Sequence, residues 1–103
     1  MTRLLGPEDL NHQLRDLPAW QVRDDLLVAA FTAPTFQAGI DLVVAVAAEA
    51  EEMDHHPDID IRWTRIVFAL STHSAGGLTQ LDVELAHRIG DAAGRLGADP
   101  HPG

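Results

Sequence analysis

Three of the chain's six histidines fall in one short stretch: His55 and His56 side by side, and His73 after an intervening segment. Imidazole titrates near neutrality, with an unperturbed pKa of about 6.5. Two such groups beside one substrate can therefore supply an acid and a base at the same pH. Glu51, Asp54, Ser71, Thr72 and Ser74 lie around them and can hydrogen-bond a ligand or a ring nitrogen. A carboxylate next to a histidine can fix which nitrogen carries the hydrogen. Other readings stand beside this one. Histidine is also an ordinary residue at a helix C-terminus, where the dipole favours it. Three histidines can hold zinc, but adjacent side chains of an extended segment point opposite ways. No two histidines are spaced four apart as on a helix, so no metal is expected. His12, His87 and His101 read as solvated side chains. Asp82 closes a Thr79-Gln-Leu-Asp82 pattern that reads first as a helix cap. Trp20 and Trp63 read as core residues, and Gly76-Gly77 as a loop without phosphate-binding spacing.

Seven elements must position these groups. Pro7 to Leu17 reads as a helix, with Pro7 in its first turn, Glu8 and Asp9 at its positive end, and Pro18 as its stop. Trp20 to Arg23 and Leu26 to Ala33 read as a hairpin turning at Asp24-Asp25. Thr35 to Met53 is the longest helical pattern, with an apolar stripe of Phe36, Ile40, Val43, Val44 and Ala47. Glu49, Glu51 and Glu52 crowd its C-terminal end, where the dipole disfavours them, which hints at a role other than stability. From Asp58 the period becomes two, with Ile59, Ile61 and Trp63 on one face. A turn near Thr64-Arg65 leads to a strand from Ile66 to His73, with Ile66, Phe68, Leu70 and Thr72 on one face. A last helix opens at Thr79 and carries Leu81, Leu85, Ile89 and Leu96 on one side. The order α-β-β-α-β-β-α implies a single α+β domain: a four-stranded antiparallel sheet with its helices on one face. The domain is expected over 1–96, with 97–103 a flexible tail. In such a chain the two ends of the 55–73 segment can return to one another, because a hairpin lies between them.

The chain has 103 residues, no cysteine and a formal charge of -9. The lack of cysteine excludes disulfides, thiolate nucleophiles and cysteine-bound metals. The charge opposes binding to nucleic acid or to an anionic membrane surface. The longest apolar run, Leu42 to Ala48, is too short to cross a bilayer, and Met1 to Gly6 does not read as a signal peptide. A cytoplasmic protein is expected. The open sheet leaves edges that a second copy can cover, so a homodimer or homotetramer is expected too.

Glu51-Glu-Met-Asp-His-His-Pro57, Trp63, Leu70-Ser-Thr-His73, Ala75-Gly-Gly-Leu-Thr79 and Asp82 together resemble the pterin-4a-carbinolamine dehydratases. The resemblance runs in register over about thirty residues and more loosely over most of the chain. One position departs from the family: Ile59 stands where an aromatic follows His-His-Pro. The resemblance implies a lyase, 4a-hydroxytetrahydrobiopterin dehydratase, acting in tetrahydrobiopterin recycling. It removes water from 4a-hydroxytetrahydropterin to give quinonoid dihydropterin. It also implies His55, His56 and His73 as catalytic groups, and Asp54, His55, His56, Ser71, Thr72, His73 and Ser74 as the pterin-contacting residues. Glu51 and Asp82 would be supporting acids. Pterin is then the substrate, and no cofactor is implied. The competing expectation is a non-catalytic pterin-binding or protein-interaction module on the same fold, linked for example to molybdopterin cofactor metabolism.

Overall fold

The computed structural model describes residues 3–101. Its regular elements are α1 (Pro7–Leu14), β1 (Gln21–Arg23), β2 (Leu26–Thr32), α2 (Phe36–Met53), β3 (Asp58–Arg62), β4 (Arg65–Leu70), α3 (Gln80–Arg95) and β5 (Asp99–His101). A short 3-10 turn, His73–Ala75, lies between β4 and α3. The sheet is antiparallel in the order β1-β2-β4-β3. Alternation sends Leu27, Ala29 and Phe31 of β2 and Ile66, Phe68 and Leu70 of β4 to one face. There they pack with Leu42 and Val46 of α2 and Val83, Leu85 and Ile89 of α3 into a single core. Among the described residues no helix is long and apolar enough to cross a membrane.

The expected α+β architecture is present, with differences that have physical causes. The sheet has five strands rather than four. Asp99–His101, expected as tail, pairs with Ala30, Phe31 and Thr32 of β2. The reason is that β1 pairs only with Leu26 to Val28, leaving the rest of that edge of β2 open to another strand. The remaining tail positions, 102 and 103, lie outside the described residues. Helix α1 ends at Leu14 rather than at Leu17. The amides of Arg15, Asp16 and Leu17 bond three residues back, tightening the chain ahead of Pro18.

Trp63 is not a core residue: it is 78% exposed. The register Arg62↔Arg65 leaves only Trp63 and Thr64 for the turn. A two-residue hairpin loop needs positive φ at its first central position, and Trp63 adopts 54°. Its side chain is thereby thrown outward. The expected strand from Ile66 to His73 stops at Leu70, and His73 opens the 3-10 turn instead.

Helix α2 is rotated from the orientation its apolar stripe suggests. It buries Gly39, Leu42, Val46 and Ala50, and leaves Phe36 and Val44 exposed. Close approach to the sheet selects that face: a Cβ on Gly39 would lie 3.1 Å from Ile66 Cδ1. The acidic end of α2 also finds structural partners. Arg88 of α3 donates to Glu52 at 2.8 Å, to Glu49 at 3.1 Å and to Glu84 at 3.2 Å. Hydrogen bonds to Glu52 first and to Glu84 next hold the Arg88 guanidinium above its ordinary pKa. Two of the three glutamates thus tie α2 to α3.

The rotation of α2 is testable. Val46 has no exposure and Val44 is 64% exposed. Val46→Ala is expected to cost about 2 kcal/mol in urea unfolding, as lost transfer free energy plus a cavity. Val44→Ala should stay within about 0.5 kcal/mol. Equal losses would contradict the placement of the helix.

Candidate active site

Two chain reversals bring the histidine segment together. At the end of α2, Asp54 takes a left-handed conformation (φ 50°), which Asp tolerates better than most residues. The His55 amide then reaches back to the Ala50 carbonyl at 3.0 Å, closing the helix. Leaving that closure, His55 turns inward and His56 outward, as neighbours on an extended segment must. The second reversal follows β4. The Thr72 amide donates to the Gly77 carbonyl at 2.9 Å, and the Thr72 carbonyl accepts from the amides of Ala75 and Gly76, each at 3.0 Å. This clamps residues 72–77 into a tight loop. Gly76 stands at φ 77°, a conformation that suits glycine. A Cβ on Gly77 would meet Leu4 Cδ2 at 3.0 Å. The β3–β4 register pairs Asp58 with Ala69. Continued past the strand ends, it carries His56 toward Ser71 and His55 toward Thr72.

A third element locks the two reversals to each other. Thr79 caps α3, and Asp82 occupies the first turn in a reciprocal capping box, with the Thr79 amide donating to Asp82 Oδ2 at 2.9 Å. That carboxylate has no exposure. It does more than cap the helix. Its Oδ1 lies 2.7 Å from His55 Nε2, and its Oδ2 accepts from the Thr72 hydroxyl at 2.8 Å. The Thr72 and Thr79 hydroxyls are 2.7 Å apart. His55, Thr72, Thr79 and Asp82 are the buried polar residues among those described, and they form one network. No buried side-chain nitrogen or oxygen among the described residues lacks a partner.

The remaining expected residues sit around this network on the surface. His56 is exposed, and its Nε2 pairs with Glu51, also exposed. His73 and Ser74 are exposed on the 3-10 turn, and Ser71 is half-buried just before it. Asp54 is exposed at the helix closure. The histidines thus divide into one anchored group, His55, and two at the surface. Among the described residues no set of three His, Asp or Glu side chains converges as metal ligands. Hollows elsewhere have other linings. One of about 240 Å³ beside α3 is lined by residues including Leu17, Trp20, Phe31, His87 and Asp91, and by none of the three site histidines. The participant that sequence reasoning left out is Thr79. Its Thr-x-x-Asp spacing was legible only as a cap, because nothing in a linear pattern says that the capping carboxylate also faces a histidine 27 residues upstream.

A helix-backed antiparallel sheet thus carries a buried Asp82–His55 pair, with His56 and His73 exposed on the residues that follow His55 and Thr72. Residues 3–92 match the family model described as pterin 4 alpha carbinolamine dehydratase. The chain belongs to the pterin-4-alpha-carbinolamine dehydratase family. A relative from Mycobacterium tuberculosis that carries the family's name is 49% identical over 86 residues, 84% of this chain and 92% of the relative. One from Nocardia farcinica is 49% identical over 92 residues, 89% of this chain and 97% of the relative. The solved structure of a Brucella melitensis protein described as a transcriptional coactivator/pterin dehydratase superposes with a TM-score of 0.84 at 30% identity. It covers 87% of this chain and 98% of its own. A pterin dehydratase-like protein described as a RuBisCO assembly factor in the alpha-carboxysome shares the fold, with a TM-score of 0.60 at 24% identity over 73% of this chain and 87% of its own.

The two carboxylate–histidine pairs should differ sharply in their effect on stability. Asp82→Ala strands the His55 ring, the Thr72 hydroxyl and the Thr79 amide without their acceptor, and each stranded buried donor costs about 1–3 kcal/mol. A loss of about 3 kcal/mol or more in denaturant unfolding is expected. Glu51→Ala removes an exposed pair and should change stability by no more than about 0.5 kcal/mol. A larger loss from Glu51→Ala than from Asp82→Ala would overturn the assignment of the network.

Proposed function

We propose that this protein dehydrates a 4a-hydroxytetrahydropterin to the quinonoid dihydropterin by acid–base catalysis at His55 and His73. The observation that carries this reading is the buried Asp82–His55 pair, joined through Thr72 to the segment bearing His73, in a chain of the pterin-4-alpha-carbinolamine dehydratase family. The reaction asks for little. The electron pair of a ring N–H becomes the second bond of a C=N. The C–O pair leaves with the hydroxyl, which takes up a proton and departs as water. One proton is removed and one is delivered, so the step needs neither redox chemistry nor a covalent intermediate. Positioned acid–base groups contribute typically about 10²–10⁴-fold to such a step.

In this reading His55 and His73 share the two proton transfers. His56, held by Glu51 at the surface, orients the pterin. Asp54, Ser71, Thr72 and Ser74 supply the polar edge of the site. The reading takes the pterin as substrate with no added cofactor and extends to recycling of tetrahydrobiopterin. A second reading has a specific observation behind it: the shared fold of the RuBisCO assembly factor shows that this scaffold also serves a protein described by an assembly role. The exposed aromatic at Trp63 would suit a protein contact of that kind.

Decay of 4a-hydroxytetrahydropterin, followed by absorbance with and without protein, separates the two readings. The wild type should accelerate it. His55→Ala and His73→Ala should each lower kcat by about 10²-fold or more. His56→Ala should raise KM more than it lowers kcat. Near wild-type rates in all three folded variants would refute the site, and no acceleration by the wild type would favour the non-catalytic module.

A further inference from the structure

The buried network determines where its own hydrogens lie. Asp82, as a carboxylate, only accepts. The single hydroxyl hydrogen of Thr72 is used in its 2.8 Å bond to Asp82 Oδ2. In the 2.7 Å contact between the threonine hydroxyls, Thr72 must therefore accept and Thr79 donate. The Thr79 oxygen accepts from the Leu81 amide at 3.2 Å through a lone pair, which leaves its one hydrogen for Thr72. The Thr79 amide, which cannot reverse its polarity, adds a second donor to Oδ2 at 2.9 Å. Donors thus run one way, from the start of α3 through Thr79 and Thr72 into Oδ2. Only Oδ1 is left to face His55 Nε2, at 2.7 Å.

We propose that Thr79, Thr72 and Asp82 are positioning residues that lock neutral His55 with its hydrogen on Nε2, so that its Nδ1 is the atom that accepts a proton from the pterin. This rests on the reading of the chain as a dehydratase and deepens it by dividing the labour. His55 takes the ring N–H proton at Nδ1, and the N–H electron pair passes into the new C=N bond. The proton that leaves with the hydroxyl comes from the surface side, where His73 stands exposed. Asp82 stays a carboxylate throughout and takes no proton.

The same polarity makes Asp82→Asn a sharp test. The Thr79 amide is an obligate donor, so the Asn carbonyl oxygen must sit where Oδ2 sits now. The Asn NH2 then faces His55 Nε2 and turns that nitrogen into an acceptor. The hydrogen is forced to Nδ1, the side that should receive the pterin proton.

The experiment is a nitrogen-15-resolved NMR spectrum of the imidazoles, recorded without pterin at a pH where the rings are neutral. It is paired with steady-state kinetics on 4a-hydroxytetrahydropterin. The wild type should show His55 with hydrogen on Nε2. Asp82→Asn should show it on Nδ1, with kcat lowered on the order of 10²-fold or more and KM little changed. Hydrogen on Nδ1 in the wild type, or on Nε2 in Asp82→Asn, overturns the proposal. Should Asp82→Asn fail to fold, the wild-type spectrum decides the tautomer. The hydroxyl protons of Thr72 and Thr79 then decide the relay: slow exchange with water supports it, and exchange too fast to observe overturns it. The imidazole spectrum is independent of turnover. A protein with the expected tautomer but no dehydration would defeat the functional reading and leave this geometry standing. An active protein with the opposite tautomer would defeat only the geometry.

Discussion

A carboxylate with no exposure is costly unless donors replace the water it leaves, and Asp82 meets partners from three directions. The first turn of α3 supplies the Thr79 amide, the loop after β4 supplies the Thr72 hydroxyl, and the end of α2 supplies His55. The positive end of the α3 dipole favours the negative charge there. None of the three donors can move far without leaving the buried carboxylate short of a partner. The network therefore acts as a bolt through three chain segments that are distant in sequence, and the positions of His55 and of the loop carrying His73 follow from it.

Rigidity is unevenly shared as a result. His55 is anchored on its inner side by a buried acceptor, while His56 and His73 stand at the surface. Such an arrangement suits a reaction in which one proton must be taken at a defined place and another exchanged near water. The hairpin of β3 and β4 keeps the two ends of the segment in register, and the Arg88 bridge to Glu49 and Glu52 holds α2 against α3 behind them. These contacts lie outside the histidine cluster and tie together the elements that carry it, while the left-handed Asp54 ends α2 just before His55.

Much of this was legible in the sequence, and the limits have physical causes. Period-two alternation marked β3 and β4 because their faces see different surroundings, the apolar run Leu26 to Ala33 marked β2 as one arm of a hairpin, and the Thr-x-x-Asp spacing marked the start of α3. The rotation of α2 was not legible. The stripe of Phe36, Ile40, Val43, Val44 and Ala47 competed with a second apolar face of Gly39, Leu42, Val46 and Ala50, and the close approach of Gly39 to Ile66 selected the second. Trp63 was misplaced because alternation continues up to the turn and ignores the register that ends the strand there. β5 was missed because three residues between breakers carry no period, and only the open stretch of β2 gives them a place. Within the site, the residue types around His55 were visible, but the pairing of His55 with Asp82 was not. That pairing is a tertiary contact across which no spacing rule operates, and the capping role of Asp82 was sufficient to explain its presence.

The claim on which the account turns is that Asp82 and His55 act as one unit, and a double-mutant cycle on stability measures that coupling. His55→Ala, Asp82→Ala and the double variant are each unfolded in urea and compared with the wild type. A hydrogen bond to a buried charged group predicts a coupling of about 1.5–3 kcal/mol, with the double variant far less destabilised than the sum of the singles. Losses that add to within about 0.5 kcal/mol would contradict it, because residues that share no interaction behave in that way.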